Sequence, residues 1–217
     1  MSSAPLTQIP RNLMFQYRFP CHQVGEITSL KQLGEKYRLP VMGQFEGQRP
    51  FADWRVGWHE KGMRISVAVT GKTASLWCKP SQIMESDGVH LWIDTRNTHD
   101  VHRATRYCHW LMAMPNGGSV GTGAQCMMLK INRAREDSPS INRANAKVDV
   151  NVRKDGYSLE LMLPAAMLNG WSPAEQPAIG FFIAVSDREL GWQTLGVGPE
   201  LPFFEDPSLW QSLNLID

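Results

Sequence analysis

Residues 86–110 read SDGVHLWIDTRNTHDVHRATRYCHW: they alternate like a strand, break into a polar connection, and resume as a second strand. Within Gly88–Asp94, Val89, Leu91 and Ile93 fall on one face while His90, Trp92 and Asp94 fall on the other. That period of two belongs to a pleated strand and to no helix. Thr105–Met114 continues as the longer second strand. The stretch also carries His90, His99, His102 and His109, four of the six histidines in the chain. Fold and chemistry must therefore be read from the same residues.

The alternation extends in both directions. Upstream, Met63–Thr70 (MRISVAVT) places Met63, Ile65, Val67 and Val69 together and turns at Gly71-Lys72. Downstream, Cys126–Asn132 and Lys147–Arg153 are further strands. Lys154-Asp155-Gly156-Tyr157 is a tight hairpin turn, since Asp-Gly supplies the backbone conformations that a short turn needs. Tyr157–Leu163 then alternates cleanly, with Tyr157, Leu159, Leu161 and Leu163 inward. Ala178–Val185 (AIGFFIAV) is nearly all apolar, as in a central strand covered on both sides. Leu213–Ile216 closes the series. Seven or more strands, mostly hairpin-linked, predict an all-β fold, an antiparallel β-sandwich rather than an α/β protein.

Fourteen prolines and eighteen glycines spread along the chain predict many turns and few long helices. Only Ser29–Tyr37 (SLKQLGEKY) has a helical pattern, weakened by Gly34, and Ala165–Leu168 can make one helical turn. Pro5, Pro10, Pro20, Pro40 and Pro50 punctuate the beginning. Residues 1–40 therefore read as an irregular extension packed on a single domain spanning 41–217.

Composition narrows the function classes. The 217 residues suffice for one substantial core. Lys+Arg at 22 against Asp+Glu at 21 leaves a net charge of +1, so no global field attracts nucleic acid or an anionic membrane surface. No stretch is long and apolar enough to span a bilayer, and the first residues lack a signal-peptide pattern. A cytoplasmic location is the expectation. Cys21, Cys78, Cys108 and Cys126 are widely spaced and form no CxxC pair, which predicts reduced, mostly buried thiols. Ser119, in GGSVGTG, has no helix pattern behind it and is no nucleophile elbow. That glycine-rich tip also lacks the lysine of a phosphate loop.

Three segments, in this order, resemble the family 9 carbohydrate-binding modules and their DOMON-like relatives. SDGVHLWID resembles the family's Asp-x-Val-Glu strand, and DGYSLELMLPAAML its Gly-Tyr-x-x-Glu-x-x-Ile-Pro signature. IGFFIAVSDRE followed by FFEDPSLWQSLNL is similar to its closing strands with Asp-Pro-Ser. Asp53-Trp54 stands where such modules begin. The resemblance covers residues 41–217 and implies a jelly-roll sandwich without catalytic machinery. It further implies two aromatic rings clamping a sugar, with a Glu and an Arg holding its hydroxyls.

Carried over, the resemblance puts Trp77 and Phe204 at the clamp positions, replaces the Glu by His90, and puts His109 at the Arg. Trp92 shares the His90 face. If His90 and His109 face the same way on paired strands, about 4.5–5.5 Å separates their Cβ atoms and both meet one ligand. The expected site is then Trp77, His90, Trp92, His109 and Phe204, binding a saccharide or similar polyhydroxylated molecule without a cofactor. Binding would weaken as the imidazoles charge near pH 6.5. Two alternatives stay open. One is a haem-binding DOMON-like domain using His90, His109 or methionines; the other is a structural or partner-binding domain. Asp94, His99, Asp100 and His102 offer metal-ligand atoms in no established spacing.

Overall fold

The computed structural model describes residues 15–42, 49–117, 123–139 and 146–217. The Gly-rich tip around Ser119 lies outside them, as do Pro5 and Pro10. Eleven strands occur among the described residues. They are β1 (Arg18–Gln23), β2 (Ala52–His59), β3 (Gly62–Thr70), β4 (Gly88–Asp94), β5 (Cys108–Met114), β6 (Gln125–Leu129), β7 (Lys147–Arg153), β8 (Gly156–Pro164), β9 (Ala178–Asp187), β10 (Gly191–Thr194) and β11 (Gln211–Ile216). Among the described residues helix is confined to short 3-10 turns, one of them at Ala165–Met167 where a single turn was expected.

One nearly closed sheet runs β6-β5-β4-β9-β11-β1-β2-β3-β8-β7, with β10 pairing the end of β9 beyond β11. The hairpin between β7 and β8 turns where Asp155-Gly156 predicted. Gly156 has φ +153°, and a Cβ there would lie 2.0 Å from the Val69 carbonyl oxygen. Gly62 at the β2–β3 turn is equally constrained, with Leu163 O 1.9 Å from the same imagined atom. Both positions require glycine.

Two expectations change. The first strand was read as irregular chain, yet Arg18–Gln23 sits inside the sheet, parallel to both β11 and β2. The sheet is thus not purely antiparallel. Its signal was masked because Pro20 lies within the strand, and proline rarely signals one. The second change concerns Ser29–Tyr37, which is helical only over Glu35–Tyr37. Gly34 is extended at φ −71°, ψ 176°, and the Leu33 N–H and carbonyl before it bond to Ser66 and Arg55 of the sheet.

Inward residues of β4, β5, β9 and β11 meet those of β2, β3 and β8 in one core. Leu91, Ile93, Phe181 and Ile183 pack there with Trp54, Ile65, Tyr157 and Leu161. The outer faces of the two halves differ. Outside β4, β5 and β9 lies a second apolar cluster of Trp92, Phe182, Phe203 and Trp210, covered by residues 195–210. Outside β2, β3 and β8 lie Arg55, Arg64, Ser66 and Glu160, covered by residues 24–39. All four cysteines are buried free thiols, and burial pushes Cys21, Cys108 and Cys126 up to about 12. No described helix is long and apolar enough to cross a membrane.

Candidate functional site

The strand register separates the two central histidines. His90 pairs with Met112 across β4 and β5, whereas His109 pairs with Ile93. Directly paired residues share a face, and a one-residue offset reverses it. His90 therefore points outward with Trp92, while His109 points into the core beside Leu111 and Ala113. The expectation of two imidazoles meeting one ligand is corrected: they lie on opposite sides of the sheet. An offset of one residue is the smallest error in strand register, and it inverts the result.

Each imidazole is fully buried and satisfied by protein groups. Trp110 Nε1 donates to His90 Nδ1 at 3.3 Å, which leaves the proton on Nε2 to donate to Ser186 Oγ at 3.0 Å. Ser186 Oγ in turn donates to the Ser86 carbonyl at 2.6 Å. For His109, the Asn169 backbone N–H donates to Nε2 at 2.8 Å, and Nδ1 donates to the Ile93 carbonyl at 3.3 Å. Burial holds the His90 pKa down to about 3 and that of His109 to about 4. Neither changes charge near pH 6.5, so the expected pH response of a ligand site is also corrected. With every ring nitrogen engaged and the rings on opposite faces, this pair does not offer the haem ligation considered from sequence.

What surrounds His90 is aromatic. Its ring stacks with Trp192 at 5.1 Å, with Trp92 at 5.6 Å and with Trp110 at 6.1 Å between centroids. Trp92 stacks with Trp110 at 5.5 Å and meets Phe203 edge-on at 5.2 Å. Phe203 then stacks on Phe182 at 4.5 Å and touches Phe204 at 5.6 Å. Offset and edge-on arrangements like these are the favoured geometries of aromatic pairs. Trp92 is fully buried, and its Nε1 has no hydrogen-bond partner among the described residues. Trp110, Trp192 and Phe204 are only half-buried and form the outer border of this cluster.

Trp77 stands apart from that cluster's ring contacts, in the connection between β3 and β4. Arg188 lies over its ring at 4.3 Å and Lys79 at 4.9 Å. The connection is fixed by a buried ammonium: Lys72 Nζ lies 2.6 Å from Asp187 and 3.1 Å from Asp87, all three shielded from solvent. Asp87 also accepts the Trp77 backbone N–H at 3.0 Å. Of the five residues expected at the site, His90 and Trp92 touch each other, and Phe204 borders the same cluster through Phe203. Trp77 is a half-buried ring between two cations, and His109 belongs to the core.

Trp110 and Trp192 stand outside the expected site, yet both border His90. Their role beside His90 was readable only through pairing, as Trp92 opposite Trp110 and Trp192 opposite Ser186. Along the polar connection, Asp94 accepts Thr98 N–H and hydroxyl, His99 Nε2 lies 2.6 Å from Ser212 Oγ, and His102 pairs with Asp206. No three His, Cys, Asp or Glu side chains converge as metal ligands among the described residues.

This geometry occurs on a known scaffold. The chain is similar in structure to a family 9 carbohydrate-binding module from Caldicellulosiruptor kristjanssonii solved with cellotriose. The TM-score is 0.62 at 12% identity, covering 92% of this chain and 93% of that one. The same kind of module from that organism with glucose gives 0.61 at 10% identity, covering 92% and 96%. A Bacteroides uniformis protein named provisionally for carbohydrate binding gives 0.55 at 11%, covering 92% and 98%. No family model matches the chain, and no curated protein matches it in sequence. Together the likenesses establish a shared fold, as the three sequence segments implied.

Proposed function

We propose that this chain is a non-catalytic saccharide-binding module built on a β-sandwich of the family 9 kind. Its contact surface is the row of half-buried rings Trp110, Trp192 and Phe204 along the outer face of β4, β5 and β9. The observation that carries this reading is the stack of His90 under Trp192 and beside Trp110. Partly exposed flat rings, held at fixed spacing by a buried polar anchor, suit the CH-rich faces of sugars. The likeness to modules solved with glucose and cellotriose supports the ligand class.

His90 acts here as an anchor and not as a ligand group. Neutral and hydrogen-bonded on both nitrogens, it fixes the Trp110 indole through Nδ1 and the Ser186 hydroxyl through Nε2. Affinity should accordingly stay flat from pH 8 down to pH 5. Calorimetric titration with glucose and cellotriose tests the proposal. Trp110→Ala and Trp192→Ala should each weaken binding by roughly tenfold or more, in line with the loss of a well-placed ring contact. Undiminished affinity in both variants would place the ligand elsewhere.

A further inference from the structure

The sheet stops short of closing, and β7 is one of its two free edges. The turn Lys154-Asp155 joins β7 to β8 and pairs Arg153 with Gly156. Antiparallel bonds alternate from such a turn, so Arg153, Asn151, Asp149 and Lys147 exchange theirs with β8. The N–H and C=O groups of Val148, Val150 and Val152 therefore point away from the sheet, and no described residue bonds them. The edge is also uncovered by side chains: Val152 is 58% exposed, and Asp149, Asn151 and Arg153 are exposed beside it.

Charge on this strand is out of balance with its own chain. Asp149 pairs directly with Glu160 on β8, and like charges so placed repel. The Asp149 carboxylate accordingly contributes to the raised pKa of Glu160. Asp149 has no ion-pair partner among the described residues. Arg153 is loosely held: one terminal nitrogen lies 3.2 Å from the Val69 carbonyl and 3.5 Å from that of Tyr157, and Nε lies 4.0 Å from Asp155.

The strand is complementary to itself. Laid antiparallel against a second copy with Asn151 on the twofold axis, Asp149 meets Arg153 of the second copy, and Arg153 meets its Asp149. In the same register Val150 lies opposite Val152, which brings the outward-pointing main-chain groups into bonded pairs and covers the exposed valine. Centred on Val150 instead, Lys147 would meet Arg153, like against like. We infer that β7 is a homodimer interface, joining two copies edge to edge into one continuous sheet by an isologous contact. The contact is independent of the saccharide reading, which uses the other half of the sheet. A single strand edge is small beside the roughly 1,200–2,000 Å² of stable interfaces, so the dimer is weak and depends on concentration.

Sedimentation equilibrium of the full chain over a wide concentration range tests this. The native protein should pass from monomer to dimer as concentration rises, and added salt should oppose the change. Asp149→Arg and Arg153→Asp should each weaken dimerisation by roughly tenfold, since each sets like charges opposite one another twice per dimer. Both changes together should restore it. Val152→Glu, at a position too exposed to disturb folding, should weaken the dimer as well. In amide exchange, Val150 and Val152 should slow with concentration, while Asp149 and Asn151, already bonded to β8, keep their rates. A chain that stays monomeric throughout overturns the inference. So does a dimer that both reversals and Val152→Glu leave intact, or one in which the Val150 and Val152 amides exchange as they do in the monomer.

Discussion

The two outer faces of the sheet solve the same covering problem with opposite chemistry. Outside β4, β5 and β9, rings cover rings: Phe203 and Trp210 close over Trp92 and Phe182. Outside β2, β3 and β8, charges hold a strap of backbone. Arg64 donates to the Glu26 and Lys31 carbonyls, and Arg55 to Leu33 O at 2.7 Å. Leu33 N–H donates to Ser66 Oγ at 2.9 Å, and Ser66 donates to the Glu160 carboxylate. Burial raises the pKa of Glu160, opposed by the Ser66 bond and by Arg64. The aromatic face gains from removing apolar area from water, which needs no directional partner. The charged face exists only while each donor keeps its acceptor. Half-buried rings remain at the margin of the first face, whereas the second is sealed by its own chain. That asymmetry leaves the aromatic face as the one consistent with the proposed contact surface.

The comparison can be broken most forcefully at Trp92. Trp92→Ala empties a site enclosed by His90, Trp110 and Phe203, and should cost about 3–5 kcal/mol in chemical denaturation. A loss under about 1 kcal/mol would mean that this face is not core-like at all.

Acid sharpens the contrast next. His90 and His109 have folded-state pKa values of about 3 and about 4, below the ordinary 6.5. The unfolded chain therefore binds more protons than the native state at pH values between these and 6.5. Their stabilising neutral state is fully kept above pH 6.5, and stability falls as pH drops through that window. Each imidazole contributes roughly 1.4 kcal/mol per pH unit there. His90→Asn should remove about half of that slope, as measured by denaturant midpoints from pH 7 to 5. Glu189, held down to about 2 by the Thr73 hydroxyl and the Thr73 and Ala74 backbone N–H groups, acts lower. Its contribution is present above pH 4.5 and is lost below it.

On the charged face, Arg64→Met removes the donors that meet the Lys31 and Glu26 carbonyls. A loss of about 1.5–3 kcal/mol is expected, with faster amide exchange over residues 31–33 and unchanged tryptophan fluorescence. Altered tryptophan emission would show that the two faces are coupled. Smallest of all is Glu35→Ala. Glu35 pairs with Arg38 at 2.7 Å and Arg55 at 3.0 Å, yet its side chain is two-thirds exposed. Exposed pairs contribute at most about 1 kcal/mol, so its thermal midpoint should barely move.

Much of this architecture is legible in the chain because strand alternation is a local signal. Val89, Leu91 and Ile93 announce their face, and Asp155-Gly156 announces its turn. Arg18–Gln23 stayed hidden because Pro20 interrupts it and its partners lie far along the sequence. The site was harder still. Residue types at positions 77, 90, 92 and 204 were readable, but their grouping depends on register, which no single strand displays. Trp110 and Trp192 became site residues through their partners alone. His109 left the site for the same reason.

The position of β1 has a further consequence for how the molecule is made. Tyr17 and Gln211, which bond at 2.7 Å beside the β1–β11 pair, are 194 residues apart. Arg18–Gln23 is synthesised well before Gln211–Ile216 and must wait for it before its main-chain groups are matched on that edge. Closing so long a span comes late, because loop entropy must be lost before the pairing rewards it. Until then, the unmatched flank of Arg18–Gln23 is open to neighbouring nascent chains, and a ribosome-stalled intermediate lacking β11 should self-associate through that flank, where the released protein does not.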